Sequence, residues 1–216
     1  GYLFLLPWLI GLVLIIGGPM IASLYLSFTN YSLIQAPQWI GLENYARMLD
    51  DPRLLQSLKV TFIYVIVGVP LQLIVALAIA MLLNEGMKGL AFYRSIFYLP
   101  SMLGASVAIA LVWRQMFESD GLVNQVLRLF GIPATTSWIA DPKYALSTII
   151  LLHIWTFGSP MVIFLAGLRQ IPGMYYEAAS VDGASHWAQF RRITLPLLSP
   201  IIFFNLVLQI INAFQA

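Results

Sequence analysis

The chain has 216 residues, of which 60% are hydrophobic and 9% are charged, with 11 Lys or Arg against 9 Asp or Glu. Soluble domains carry about 25% charged residues, and a net charge of +2 on so few cations is no footprint for nucleic acid. With no cysteine and two histidines, disulfides, thiol nucleophiles and Cys-based zinc sites are excluded and no metal site is predicted.

The charges are confined to the gaps between five uncharged stretches, at residues 1–42, 60–84, 95–113, 144–168 and 193–216. A bilayer core needs about 20 apolar residues per helix, so each stretch is long enough to span. The apolar runs are continuous, whereas the strands of a membrane β-barrel alternate. The predicted fold is therefore all-α, a polytopic helical membrane protein.

Five predicted spans follow one another, joined by polar loops with Pro and Gly turn signals. The spans cover residues 2–28, 60–83, 95–117, 144–168 and 197–216. The loops cover residues 29–58, 84–94, 118–143 and 169–196, and a short interfacial helix is predicted at 121–130. Because both ends of the chain fall in apolar runs, we expect a truncated domain, incomplete at the C-terminus and also at the N-terminus.

Lys and Arg counts predict the orientation, since cytoplasmic loops carry an excess of them. Loops 84–94 and 169–196 share one side and hold five, while loops 29–58 and 118–143 hold four, spread over more residues. This bias places 84–94 and 169–196 in the cytoplasm.

The loop 169–196 is predicted to contain a short helix. Pro172 and Gly173 end the fourth span, and residues 174–182 can then form a helix with Glu177 in its early turns, where the helix dipole favours an anion. The small alanines beside Glu177 suit a helix that is pressed into a partner's groove.

A second short helix is predicted to follow the first. Gly183 is a natural C-cap, free to take a positive φ, and Ser185 can cap the N-terminus of the second helix. That helix is predicted to end near Ile193, with Pro196 opening the fifth span. Two short helices joined by a glycine at a membrane surface form a docking element.

The loop is also similar to a family signature. The order Glu-Ala-Ala, three residues, Gly, nine residues, Ile, one residue, Leu-Pro runs from Glu177 to Pro196. It resembles the signature loop of the membrane subunits of binding-protein-dependent ABC importers. Further stretches, among them YRSIFYLPSM at 93–102 and ITLPLLSP at 193–200, look like the first membrane subunit of the maltose-type, carbohydrate-uptake branch.

The resemblance implies that the loop is cytoplasmic and that its first short helix is a coupling helix docked on an ATPase subunit. The coupling residues that it implies are Glu177, Ala178, Ala179, Asp182, Gly183, Ile193, Leu195 and Pro196. It also implies a cytoplasmic N-terminus and a single ABC-importer transmembrane domain over residues 1–216, with a sixth span beyond the five that are visible.

Polar side chains inside the spans are candidates for a solute path. Asn205, Gln209 and Asn212 fall at i, i+4 and i+7 and share one helix face, which should face the bundle interior because lipid leaves amides unsatisfied. They either hydrogen-bond to neighbouring helices, worth about 0.6 kcal/mol per contact, or bind sugar hydroxyls in a water-filled cavity. The family resemblance favours the cavity for Asn212, Phe214 and Gln215.

His153, in the fourth span, has the same two interpretations. An ionisable residue within a membrane helix is a functional hypothesis, but a neutral imidazole hydrogen-bonded to a neighbouring helix fits equally. Thr156 and Ser159 continue its polar face, and Trp155 could stack on a sugar ring.

Taken together, the resemblance implies a sugar-importing permease subunit that works by alternating access and has no catalytic residue or cofactor of its own. The implied partners are a second, related membrane subunit, two ATPase subunits that bind ATP and Mg, and an extracytoplasmic solute-binding protein. The implied location is a bacterial or archaeal cytoplasmic membrane.

Two other classes of protein are alternatives to the importer. The first alternative is an ion- or proton-coupled secondary transporter with His153 as the coupling site, although the uncharged spans contain no Asp or Glu. An intramembrane enzyme would need His153 to act with Ser159, and the i+6 spacing offsets the two around the helix.

Overall fold

The computed structural model describes residues 2–85, 89–104 and 106–215. It confirms a mostly helical membrane protein. Three helices are long and apolar enough to cross a bilayer, and the count rises to five if each of two bent helix pairs is one span. The chain forms two compact units, Gly1–Lys59 and Val60–Ala216.

The first unit contains a spanning helix and a small hairpin. Helix α1 covers Leu3–Ser27, with a π-helical stretch at Leu12–Gly17. Strands β1 (Thr29–Ser32) and β2 (Gln35–Trp39) pair antiparallel, and helix α2 covers Glu43–Leu49.

The prediction of a loop over residues 29–58 was therefore wrong in part. The Phe28 and Trp39 rings stack with centroids 5.5 Å apart, and the Asn44 amide donates to the carbonyl oxygens of Ser27 and Thr29 at 3.0 and 2.9 Å. These contacts between residues distant in sequence order the segment.

Helix α3 (Pro52–Asn84) begins in the first unit and continues into the second. The remaining helices lie in the second unit. They are α4 (Leu90–Leu103), α5 (Val107–Phe117), α6 (Leu122–Leu129), α7 (Ala145–Trp155), α8 (Gly158–Leu168), α9 (Met174–Val181) and α10 (His186–Phe214). Helix α6 confirms the short helix predicted at 121–130.

The core of the second unit is built by α3, α8 and α10. Val69, Ala76 and Ala80 of α3 are fully buried, and they pack in one cluster with apolar residues of α8 and α10. Helix α8 crosses α4 closely at Gly158, where a Cβ would lie 2.6 Å from the carbonyl oxygen of Phe97. Small residues are used in this way where membrane helices approach each other.

The third and fourth predicted spans are not straight helices. Helix α4 and the segment Val107–Leu129, which contains α5 and α6, are bent by 95°, and α7 and α8 are bent by 42°. In the fourth span Pro160 explains the break, because proline has no N–H to donate to the carbonyl of residue 156 and its ring clashes with that carbonyl. In the third, the Ser106 hydroxyl accepts from the Ile109 N–H and starts a new helix.

The local predictions for the loop 169–196 are largely confirmed. Helix α9 forms with Glu177 in its first turn, Gly183 has φ +73°, and the Ser185 hydroxyl accepts from the Ala188 N–H.

The end predicted for the second short helix, near Ile193, was wrong. Helix α10 is continuous through a π-helical stretch, Phe190–Thr194, in which the Leu195 N–H bonds to the Phe190 carbonyl. The wider π turn lies directly before Pro196, whose missing N–H interrupts the ordinary ladder.

Candidate functional site

A cavity of about 400 Å³ lies among the spanning helices of the second unit. Helices α3, α4, α7, α8 and α10 contribute its walls. The polar lining residues are Tyr64, Gln72, Ser101, His153, Thr156, Ser159, Gln209 and Asn212. We call this space the amide cavity. It brings His153 of the fourth predicted span together with Gln209 and Asn212 of the fifth.

The described lining of the amide cavity contains no Asp, Glu, Lys or Arg side chain. Recognition there depends on amides, hydroxyls and an imidazole, which donate and accept hydrogen bonds. Pockets of this size with a few convergent polar groups bind small molecules. The chemistry suits a solute that carries several hydroxyl groups.

The polar face of α10 is directed inward, as predicted, at Asn205 and Gln209, which are buried. Gln209 and Asn212 reach the cavity, but Asn205 is not among its lining residues. Neither amide atom of Asn205 has a hydrogen-bond partner within the described part of the chain. The structure places Gln209 and Asn212 in the cavity lining, and their role as solute contacts stays a prediction.

Trp155, Phe214 and Gln215 are also placed away from the cavity lining. The Trp155 ring lies 5.8 Å from that of Trp113. Phe214 meets Phe62 edge to face at 5.7 Å, and Gln215 is an exposed residue just beyond α10. The Trp155 ring therefore packs at a tilt against another aromatic ring and does not line the cavity.

His153 lies in the cavity wall with its ring 5.1 Å from that of Tyr64. Helix α3 approaches it closely at Gly68, where a Cβ would lie 3.2 Å from the His153 Cδ2. The Nε2 atom is buried and meets no hydrogen-bond partner in the residues that the structure describes.

Sequence reasoning missed Gln72, which is 2% exposed. Its Nε2 donates to the carbonyl oxygens of His153 and Thr156 and to the Thr156 hydroxyl, at 3.1, 3.2 and 3.2 Å. A signal was available, because Gln72 is the single amide side chain between residues 60 and 83. Tyr64 and Ser101 were missed as well.

The second candidate site is helix α9, which lies outside the spanning helices. One face carries the exposed side chains of Met174, Tyr175, Ala178 and Val181, with exposed fractions of 67% for Met174 and 88% for Val181. We call these four residues the docking face. Exposed apolar patches on a polar segment mark interaction sites. Glu177 and Asp182 are exposed beside it, and Ala179 is half-buried.

Side-chain hydrogen bonds tie α9 to the beginning of α10. The hydroxyls of Tyr176 and Thr194 lie 2.9 Å apart, and the Gln189 Nε2 donates to the Ser180 hydroxyl at 3.0 Å. Of the other predicted coupling residues, Ile193 and Leu195 are half-buried in α10 and Pro196 is exposed.

Helix α10 joins the two candidate sites. It has 29 residues and is therefore roughly 43 Å long at 1.5 Å per residue. Its first part holds α9 through Gln189 and Thr194, and its last part presents Gln209 and Asn212 to the amide cavity. One continuous helix thus connects the residues that contact α9 with the residues that line the cavity.

Within the described ranges, no group of three or more His, Asp or Glu side chains is placed so that it could hold a metal ion.

Residues 46–216 match the family described as "Binding-protein-dependent transport system inner membrane component". The chain is 55% identical over 216 residues to the "Probable ABC transporter permease protein YesP" of Bacillus subtilis, covering all of this chain and 70% of that protein. It is 34% identical to the trehalose/maltose transport system permease protein of Thermococcus litoralis, covering 100% of this chain and 73% of the relative. The corresponding values for the lactose transport system permease protein of Rhizobium radiobacter are 32%, 100% and 72%.

The fold also matches solved structures. A bacterial ABC transporter involved in the import of the acidic polysaccharide alginate superimposes with a TM-score of 0.80 at 27% identity, over 100% of this chain and 73% of the other. The alginate transporter in complex with an alginate pentasaccharide-bound periplasmic protein gives a TM-score of 0.77 at 26% identity, over 96% and 70%.

Proposed function

We propose a solute, partners and a coupling route for this chain, which belongs to the binding-protein-dependent transport system inner membrane components. It is a permease subunit of an ABC importer in the inner membrane, and the ATPase activity lies in partner subunits. A solute therefore crosses the membrane at the expense of ATP that other chains bind and hydrolyse.

The proposed solute is a sugar or a related polyhydroxy compound, translocated by alternating access. The amide cavity supports this class because five helices contribute amide and hydroxyl groups to its lining. Relatives named for trehalose, maltose and lactose transport lie at 32 to 34% identity.

The proposed coupling route begins at the docking face of α9, seated on an ATPase subunit. The observation that carries this proposal is the continuity of α10, which is hydrogen-bonded to α9 at one end and lines the cavity at the other. ATP-driven closure of the ATPase dimer would move α9, and α10 would carry that movement to Gln209 and Asn212. Gly183 sets the direction in which the chain leaves α9.

We assign the chain to the first membrane subunit of a maltose-type importer, with residues 1–216 as one transmembrane domain and 169–196 as its coupling loop. Its partners would be a second permease subunit, two ATPase subunits that hold ATP and Mg, and an extracytoplasmic solute-binding protein. The Lys and Arg bias supports a cytoplasmic position for α9 and for the N-terminus. The loop signature from Glu177 to Pro196 supports the docking partner.

Uptake into proteoliposomes tests the energy source. The assembled importer is given its binding protein and radiolabelled maltose, trehalose or lactose, with ATP held constant on the ATPase side. We expect uptake to follow ATP hydrolysis and to persist in the presence of a protonophore. Uptake that collapses with the protonophore at constant ATP would instead assign transport to ion coupling through His153.

A further inference from the structure

The break in the fourth span leaves the Thr156 carbonyl without a backbone donor, whereas the His153 carbonyl accepts from the Thr156 N–H at 3.1 Å. Pro160 cannot donate to the Thr156 carbonyl, and this oxygen accepts from the Ser101 hydroxyl at 2.9 Å and from the Gln72 amide at 3.2 Å. The His153 carbonyl accepts from the Thr156 hydroxyl at 2.7 Å and from the same amide at 3.1 Å. Side chains of α3 and α4 thus hold the bend between α7 and α8.

The chemistry of these neighbours determines which way the Gln72 amide points. Backbone carbonyls only accept hydrogen bonds, so the nitrogen of the amide must face them and the oxygen must face away. The side chain is 2% exposed and lines the amide cavity. Its Oε1 has no donor among the residues that are described.

A buried acceptor without a donor is unfavourable, and the wall contains a second polar atom in the same condition, His153 Nε2. Both atoms belong to residues that line the cavity. The wall beside the break therefore holds two buried polar atoms that lack a hydrogen-bonding partner among the described residues.

We propose that Gln72 links the presence of solute to the break in the fourth span, with Oε1 accepting a hydrogen bond from a solute hydroxyl while Nε2 holds the His153 and Thr156 carbonyls. This inference rests on the proposed function of the cavity as the solute path. An amide that accepts at its oxygen becomes a better donor at its nitrogen, because hydrogen bonds in a chain polarise one another. Solute binding then tightens the bend between α7 and α8.

The inference gives Gln72 a different role from Gln209 and Asn212. Those two residues contact the solute from α10, which carries movement from the ATPase side. Gln72 contacts it from α3 and reports its presence to the bend in the fourth span.

The test uses the complete importer in proteoliposomes and lipid nanodiscs, with wild type, Gln72→Met and the control Asn205→Leu. Methionine keeps the length of the side chain and removes both polar atoms. Asn205 also has a fully buried amide side chain, but it does not line the cavity. Gln72→Asn shortens the side chain by one methylene group and keeps the amide. It is the second variant if the importer does not assemble with Gln72→Met.

Two measurements are made on each variant. The first is the KM for uptake of maltose, trehalose and lactose, and of monodeoxy analogues of whichever sugar wild type imports. The second is hydrogen–deuterium exchange of the backbone at residues 154–158 without sugar and with it, since solute should slow this exchange in wild type and not in Gln72→Met. The deoxy series distinguishes a direct contact from a structural effect, as a double-mutant cycle does.

For Gln72→Met we expect a KM about fivefold higher, the cost of roughly one hydrogen bond, and exchange at 154–158 about tenfold faster, since the carbonyl ties are lost. One deoxy analogue should be a poorer substrate for wild type and equally good as the parent sugar for Gln72→Met. Asn205→Leu should leave all these values within twofold of wild type.

Unchanged exchange in Gln72→Met, or an unchanged KM, would overturn the inference. A KM that rises by the same factor for every analogue would also overturn it, because Gln72 would then act on the fold alone. If wild type imports none of the three sugars, the disaccharide class of the proposed function fails. The inference then fails with it, because faster exchange alone shows a role of Gln72 in the fold and no contact with solute.

Discussion

Gly183→Val is expected to reduce solute uptake at least tenfold while the importer still assembles. The reason is the backbone: Gly183 has φ +73°, and a β-branched residue in that region is strained by about 1–2 kcal/mol. The turn after α9 would relax to a negative φ and redirect the docking face. Uptake and ATP hydrolysis, measured in the same proteoliposomes, should show hydrolysis without transport.

Gly183→Asn is the matched control for this change. Asparagine tolerates the left-handed region, and a Cβ at this position meets no described atom within 4 Å. We expect Gly183→Asn to keep most of the uptake. Equal losses in both variants would mean that side-chain volume at the docking site matters rather than the conformation of the turn, and wild-type uptake in Gly183→Val would contradict the coupling role of the loop.

The double change Gln209→Leu with Asn212→Leu is expected to raise the KM for solute about thirtyfold. Each amide can exchange hydrogen bonds with solute hydroxyls, and each lost bond costs about 1 kcal/mol, so two residues together cost roughly 2 kcal/mol. If these hydrogen bonds are equally strong in the ground state and in the transition state of transport, their loss raises KM and does not change the maximal rate. The measurement is the concentration dependence of binding-protein-dependent uptake.

Asn205→Leu controls for the loss of a buried amide on the same helix. Asn205 is fully buried on α10 and is not part of the amide cavity lining, so its KM should stay near that of wild type. If Asn205→Leu raised the KM as much as the double change, the polar face of α10 would act through helix packing and not through contact with solute.

The loop from Glu177 to Pro196 was the part of the molecule most accessible from sequence. Its turn residues act locally: Gly183 takes the positive φ, and Ser185 caps the helix that follows. The second helix was given the wrong end because Pro196 usually opens a helix. Here a π-helical stretch directly precedes Pro196, and α10 continues although this residue has no N–H to donate.

The cavity was only half predictable. The amides of α10 recur at helical spacing and therefore indicated a face, whereas Gln72 is alone in an apolar stretch and gives no periodic signal. Its role depends on the carbonyls of His153 and Thr156, more than 80 positions away in the chain, and Pro160 frees the second of them. The hairpin at Thr29–Trp39 was missed for a related reason, since contacts of Asn44 and Trp39 order it.

The most direct test of the account is a cross-link between α9 and an ATPase subunit. The chain has no cysteine, so Ala178→Cys on the docking face and Leu129→Cys on α6, both exposed, each introduce one thiol. We predict that a thiol-to-amine cross-linker joins Ala178→Cys to an ATPase subunit and that ATP changes the yield. Leu129→Cys should give no such product. Cross-linking from Leu129→Cys but not from Ala178→Cys would contradict the account.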